Sequence, residues 1–404
     1  IHPGHFVRTH TGKYHRVVEV RSREVPQTVI VKPYCNWPTQ CSPEHPFWTR
    51  RGWIEAKALR ETDYVGVPLV TETFDWLDSI HGIPMTEDDL WFYGLYIAEG
   101  YIPLSGTHQV TFTLGMREDT LAGEIIRYCN EHDYGLRRRV TYTAQQLIVD
   151  GGRELADGLR YLFGNRSDRK HIHPTVQRLT KRKLEHLLDG YFAGDGFIEK
   201  ASSKRLGITT VSKALAIDLR NVLLRLGIIS STYAEPPPKS VWKGRTITGR
   251  HYPYRLSVTK QFAGAWGRIT PSLAGHVPQG PTPEGLRYNG MTVAHIADDY
   301  AWYRVRSVTE NVPAPVYNFS VEGDESYIAD GLAVHNCWWR HEGGCTFCSW
   351  TNTYKNYRQL SVDQFMADVE SAHALGAREY FDDAGTFSPP GRWFDEVLQQ
   401  LTAL

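Results

Sequence analysis

The sequence carries no surplus of charge: its 45 basic and 45 acidic residues cancel at neutral pH. That balance excludes a surface uniformly adapted to nucleic acid, whose phosphates demand a cationic excess. No uninterrupted apolar run reaches the ~18 residues of a membrane-spanning helix, and no secretory leader opens the chain, so no membrane partner is expected. An initiating methionine is also missing. Ile1 reads as the middle of a domain, and the chain is therefore expected to be a fragment. What the sequence does have is enough apolar material, 41% of 404 residues, to build the cores of two to four domains.

The cancelling charges are unevenly distributed. From Ala201 to Lys260 there are eleven basic residues, among them Lys213, Arg220, Arg225, Lys239, Arg245 and Arg250, against two acids, Asp218 and Glu235. This local excess suits phosphate contacts. Within it, Trp242 to Arg255 alternates basic, aromatic and hydroxyl side chains like a β-ribbon able to lie in a DNA groove.

One pattern occurs twice: Phe92 to Gly100 and Leu188 to Gly196. Gly94 with Ala98, and Gly190 with Gly194, recur four apart, which places them on one face of a helix and lets two helices meet backbone to backbone. Each copy ends in an acid followed by glycine, so each helix stops with a carboxylate at the bottom of the pair. Periodicity around the copies also repeats. It predicts helix Asp89–Ala98, strand Gln109–Leu114 and helix Asp119–Glu131, then helix Lys183–Ala193, strand Gly207–Val211 and helix Ala214–Leu226.

Both copies resemble the LAGLIDADG motif of a homing endonuclease family often found inserted in inteins. The resemblance implies Glu99 and Asp195 as metal-binding catalytic carboxylates, Mg²⁺ as their ion, double-stranded DNA as substrate, and a monomer whose two halves cut the two strands. The segment Asp168 to Pro174 is similar to the part of the family that brings a lysine near the active site. Lys170 takes that role, stabilising phosphate charge or activating water, with His171 and His173 as competitors.

The end of the same frame, Ala333-Val334-His335-Asn336-Cys337, follows Val316–Val321 and Ser326–Gly331 and resembles the C-terminal splice junction of an intein. The Asn336 amide can attack its own carbonyl carbon and break the Asn336–Cys337 bond. His335 assists by proton transfer or by polarising that carbonyl, and Cys337 supplies the thiol that receives the upstream segment. Upstream, Ser42-Pro43-Glu44-His45 resembles the intein block that polarises the other scissile amide, with serine in place of the usual threonine. Two departures stand out: Asn318 where aspartate is common, and Glu325 where a histidine commonly assists asparagine cyclisation. The first nucleophile would precede Ile1. These resemblances imply a mixed fold. Residues 1–84 and 290–336 would form an all-β, Hint-type splicing domain, 85–268 an α+β endonuclease of two pseudo-symmetric halves, and 269–289 a linker.

Beyond the junction, Cys337, Cys345 and Cys348 resemble the iron–sulfur motif of a radical S-adenosylmethionine enzyme with a lengthened first gap. Residues 337–404 would then begin an interrupted host of α/β, TIM-like barrel type, with helix Val362–Leu375 and strand Glu379–Asp382. The three thiolates would hold a [4Fe-4S] cluster whose fourth iron binds S-adenosylmethionine, and the phrase is most similar to cobalamin-type enzymes. Zinc, with His341, is the rival. Such thiols imply a reducing cytoplasm. Cys35 and Cys41 are read as unrelated loop thiols or a redox pair, and Cys129 as core. From other classes, the chain is a free-standing endonuclease or maturase with decayed splicing blocks, or a self-cleaving Hedgehog-like domain; the Asn336-Cys337 ending argues against the last.

Overall fold

β-branched residues crowd both ends of the chain up to Asn336, and those ends pair with each other. In the computed structural model, which describes residues 1–103, 108–198, 205–242, 245–271, 280–336, 361–376 and 392–402, strand Tyr14–Val25 runs antiparallel to Ala314–Val321. The long strand Tyr300–Asn311 pairs with Tyr64–Pro68 at one end and with Thr28–Pro33 at the other. A sheet path then runs Gly285–Tyr288, Met291–Ala297, Tyr300–Asn311, Tyr64–Pro68, Pro46–Thr49, Leu332–His335, Ser326–Ala329. Val17, Val31, Phe47, Val65, Val305 and Val334 fill its core and are fully buried. Residues about 230 or more apart in sequence thus complete one β body, and everything between is carried as an insertion.

Among the described residues the insertion holds six α-helices: α1 (Glu87–Glu99), α2 (Asp119–Glu131), α3 (Gly152–Phe163), α4 (Lys181–Asp195), α5 (Lys213–Arg225) and α6 (Lys260–Ile269). Their starts follow from capping chemistry. Thr86 and Asp89 form a reciprocal capping box at α1, and the hydroxyls of Thr180 and Ser212 cap α4 and α5. Two four-stranded antiparallel sheets accompany them in the same order. The first is Gly100–Tyr101, Val110–Gly115, Ala144–Asp150, Gly135–Val140; the second is Gly196–Ile198, Leu206–Thr210, Tyr254–Val258, Ser231–Ala234. Each half therefore has three strands and a closing helix beyond the helix–strand–helix read from periodicity. The second half also carries a hairpin, Lys239–Trp242 with Arg245–Thr248.

Helices α1 and α4 pack against each other through their small residues. A Cβ on Gly94 would overlap the Leu187 carbonyl oxygen, one on Gly190 the Trp91 carbonyl oxygen, and one on Gly194 would press on Ala98 and Glu99. Gly100 and Gly196 do end the helices, but their φ values of −93° and −76° are open to any residue. Glycine is required there for room: a Cβ on Gly100 would lie 2.7 Å from the Tyr96 carbonyl oxygen, and one on Gly196 would run into Phe192.

The expected linker is shorter than read, because Gly285–Tyr288 is already a strand paired with Met291–Ala297. Cys35, Cys41 and Cys129 are free thiols, and burial pushes Cys41 up to about 12, which disfavours the reactive thiolate. Cys129 is fully buried in α2. Cys337–Leu404 belongs to a separate compact unit, in which α7 (Val362–Ala374) and α8 (Arg392–Leu401) are described. Cys337, His341, Cys345, Cys348 and the strand expected at Glu379–Asp382 lie outside the described residues. No described helix is long and apolar enough to cross a membrane.

The helix contact makes a direct prediction. Gly190→Ala should destabilise the fold by about 1–3 kcal/mol through overpacking, whereas Gly123→Ala in α2, with nothing within 4 Å of its added Cβ, should be neutral or stabilising. Chemical denaturation of the two variants measures the difference.

Candidate functional sites

Because α1 and α4 stop level with each other, their last residues converge. Burial, and then the Glu118 charge, raises the Glu99 pKa, and Asp195 rises to about 7 through desolvation at the crowded foot of the pair and then through the Glu99 charge. Asp195 keeps a solvent-facing side. Two carboxylates that resist joint ionisation fit a divalent cation bound with water and phosphate oxygens. Among the described residues no group of three or more His, Cys, Asp or Glu side chains is placed to hold a metal unaided.

Lys170 lies beside this foot, but inside the protein. Its ammonium donates to the carbonyl oxygens of Tyr96 at 2.8 Å and Gly100 at 2.9 Å and sits 3.5 Å from the Tyr96 ring centroid. It thereby neutralises carbonyls at the negative end of α1. Burial drives its pKa well down, against the pull of Asp195. His171 instead faces the backbone carbonyls of Arg169 and Tyr161, and His173 packs on Tyr161.

The basic stretch is less available than its charge count implied. Arg220 is fully buried and donates to Asn36 at 2.6 Å; Arg225 is buried and donates to the carbonyl oxygens of Glu72, Gln177 and Leu179. Both belong to the interior. Lys239, Arg245 and Arg250 are exposed on or next to the hairpin.

A second constellation forms where the ends of the β body meet. The hairpin Ser326–Ala329/Leu332–His335 turns at Asp330-Gly331, both with positive φ, and sets Ser326 opposite His335. His335 is buried, stands edge-on to Trp53 at 4.8 Å between ring centroids, and places Nδ1 2.9 Å from the Asn336 carbonyl oxygen. An oxygen that only accepts requires Nδ1 to carry the hydrogen. The Asn336 N–H donates to the Glu325 carbonyl oxygen at 2.7 Å. With its amide turned to suit its neighbours, Asn336 also donates to Phe319 O at 2.6 Å and accepts from Val321 N at 3.0 Å.

His45 joins this group: its pKa falls to about 4 through burial and then through the nearby His335. Ser42 is buried at the start of the same turn, which closes through His45 N–H to Ser42 O. Asn318 accepts from the Tyr327 hydroxyl at 3.0 Å. Glu325 holds φ near +47° and contributes its backbone carbonyl, while its charge favours the protonated form of His335.

Sequence reasoning missed His10. Its Nδ1 lies 2.7 Å from Ser326 Oγ, and its ring packs on Trp48 and Trp53, while the flanking hydroxyls of Thr9 and Thr11 donate to Asp324. Histidine between two threonines has no spacing signature. Only the pairing of strands more than 300 residues apart brings it to the junction.

Comparison with known proteins bears most directly on the second half of the insertion. Residues 183–259, from within α4 to the end of the second sheet, match the LAGLIDADG-like domain family. Among curated proteins, the chain is 25% identical over 408 residues to an ATP-dependent DNA helicase of Thermococcus kodakarensis, covering 82% of this chain and 34% of the helicase. It is 23% identical over 385 residues to an iron–sulfur cluster assembly SufBD family protein of Mycobacterium tuberculosis, covering 83% and 40%. The chain thus spans well under half the length of these relatives. Among solved structures, the homing endonuclease I-DmoI in complex with DNA and Ca aligns with a TM-score of 0.34 at 17% identity, over 49% of this chain and 94% of that one. The N-terminal LAGLIDADG domain of WhiA aligns at 0.28 and 10% identity, over 45% and 78%.

The raised pKa of Asp195 carries a stability signature. A carboxyl whose folded pKa lies above its unfolded value of 3.8 loses stability for the fold as pH rises from about 4 to about 7. Asp195→Asn should remove that part of the decline, so its unfolding midpoint should gain on wild type at pH 8 and not at pH 4. Mg²⁺ should narrow the gap at pH 8 by stabilising only the wild type. Thermal unfolding at the two pH values, with and without Mg²⁺, provides the test.

Proposed function

We propose that the chain is a self-excising intein of Hint type that carries a LAGLIDADG homing endonuclease and is followed by the start of its interrupted host. The observation that carries this reading is the pattern of relatives. A helicase and an iron–sulfur assembly protein have no activity in common by name, yet each matches about four-fifths of this chain over a minority of its own length. An inserted element accounts for that sharing; a common host activity does not. The pairing of residues 14–68 with 285–335 around the insertion supports the same reading.

For DNA, Glu99 and Asp195 would hold Mg²⁺, which supplies charge stabilisation and an activated water when bound. Lys170 fixes the end of α1 and so the position of Glu99, and the exposed hairpin engages the duplex backbone. For scission, the Asn336 side-chain nitrogen attacks its own backbone carbonyl carbon. The carbonyl's bond to the Cys337 nitrogen breaks, the attacking nitrogen loses a proton and the departing amine gains one. His335 donates from Nδ1 to the carbonyl oxygen where negative charge develops. His45, kept uncharged by burial, would serve the upstream amide with Ser42. The host is read as a radical S-adenosylmethionine enzyme in which Cys337 is also a cluster ligand.

Two measurements test these centres. Asp195→Asn and Glu99→Gln should each abolish Mg²⁺-dependent double-strand cutting of the uninterrupted host gene while leaving salt-sensitive binding in place; wild-type cutting by either variant would remove the assignment. Asn336→Ala should stop release of the tail that begins at Cys337, because alanine has no amide to attack. Glu325→His should speed release, since it keeps the backbone carbonyl that holds Asn336. Intact-mass spectrometry over days at neutral pH follows both.

A further inference from the structure

Helix α5 reaches out of the inserted region and grips the turn of the hairpin that ends at Asn336. The Lys213 ammonium lies 2.5 Å from an Asp330 carboxylate oxygen. One helical face further along, the fully buried Arg220 guanidinium lies over Trp37 and against Gly331, where any Cβ would overlap Nη2. Apart from Asn36, which takes Nη1 at 2.6 Å, the guanidinium is poorly satisfied: Nε and Nη2 have no hydrogen-bond partner among the described residues. A buried cation in that condition costs stability. Its location matches Asp330, whose charge acts on it. The two basic side chains therefore bracket the two residues of a tight turn.

That turn governs the junction geometrically. Each strand of the hairpin has four residues, so Asp330-Gly331 at one end and His335 at the other belong to one short, rigid unit. The Asn336 amide, by contrast, is held by Phe319 and Val321 of a different strand. Sliding the turn relative to that strand changes the 2.9 Å approach of His335 to the scissile carbonyl. We propose that Lys213 and Arg220 are positioning residues for scission after Asn336, acting through the Asp330-Gly331 turn. The proposal rests on the scission reading above.

Arg220→Ala opens a cavity at the seam and confounds rate with folding, so the exposed pair carries the test. Tail release is followed by intact-mass spectrometry in wild type, Lys213→Glu, Lys213→Arg, Asp330→Asn and Lys213→Glu/Asp330→Asn, with thermal unfolding run on each. Asparagine keeps the left-handed backbone of position 330 while removing the repulsion that Lys213→Glu creates. Small displacements of a reacting group have large effects on rate, so Lys213→Glu should slow release by about fivefold or more, with an unfolding midpoint close to wild type. Lys213→Arg should retain the rate, and the double variant should return to that of Asp330→Asn alone. Equal release by wild type and Lys213→Glu, or slowing that Asp330→Asn does not relieve, overturns the proposal. A wild type that releases no tail, or an Asn336→Ala protein that releases the same tail, overturns the scission reading and this inference with it.

Discussion

The contact between α1 and α4 is the constraint on which the insertion depends. Two helices approach this closely only where neither has a side chain in the way, and Gly94, Gly190 and Gly194 clear the path. Close approach turns two separate helix ends into one site. It brings Glu99 near enough for its charge to oppose the ionisation of Asp195, which neither half achieves alone. The duplicated sheets then take their places on either side, because each strand after the helix leaves directly from Gly100 or Gly196 in extended conformation. Any widening of the helix contact would therefore separate the carboxylates and splay the sheets together.

The β body solves a different problem, which is to remain one structure although its halves are far apart in sequence. Closing a loop that long costs entropy that grows only slowly with length, and a shared sheet recovers it through many backbone hydrogen bonds. Tyr300–Asn311 does most of the joining, since it pairs with both N-terminal strands. His10, His45, Trp53 and His335 gather as a consequence. None of them is a neighbour in the chain, and the low dielectric of their setting keeps the histidines short of charge.

What could be read in advance divides along the same line. Helices α1, α2, α4 and α5 were legible to within about two residues from their apolar periodicity, and at α1, α4 and α5 a capping Thr86, Thr180 or Ser212 marks the start. The paired small residues announced the helix contact. Gly135–Val140, by contrast, reads Gly-Leu-Arg-Arg-Arg-Val and is mostly exposed, so it lacks the alternation that marks a half-buried strand. α3 and α6 are amphipathic but short, and nothing local ties them to a repeat. Glu99, Asp195, His335 and Asn336 could be singled out because their chemistry is written in adjacent residues. His10 could not, because its partner is Ser326.

Charge was the least legible property, and the reason lies in the seams of the fold. Net charge and local counts treat every basic side chain as surface, yet Lys170, Arg220 and Arg225 are buried, as is Arg8. Each sits where two parts of the fold meet. Lys170 closes α1 against the segment between the halves, Arg225 ties α5 to the strands' exit at Glu72 and Thr73, and Arg220 meets Asn36 and Gly331. An apolar seam would be more stable by burial alone, but it allows parts to slide. A buried cation with directional donors is costly to displace and accepts only one register. Basic residues that a count places on the surface are thus partly spent in holding the inserted region to the β body, while Lys239 and Arg245 of the hairpin stand free of the core.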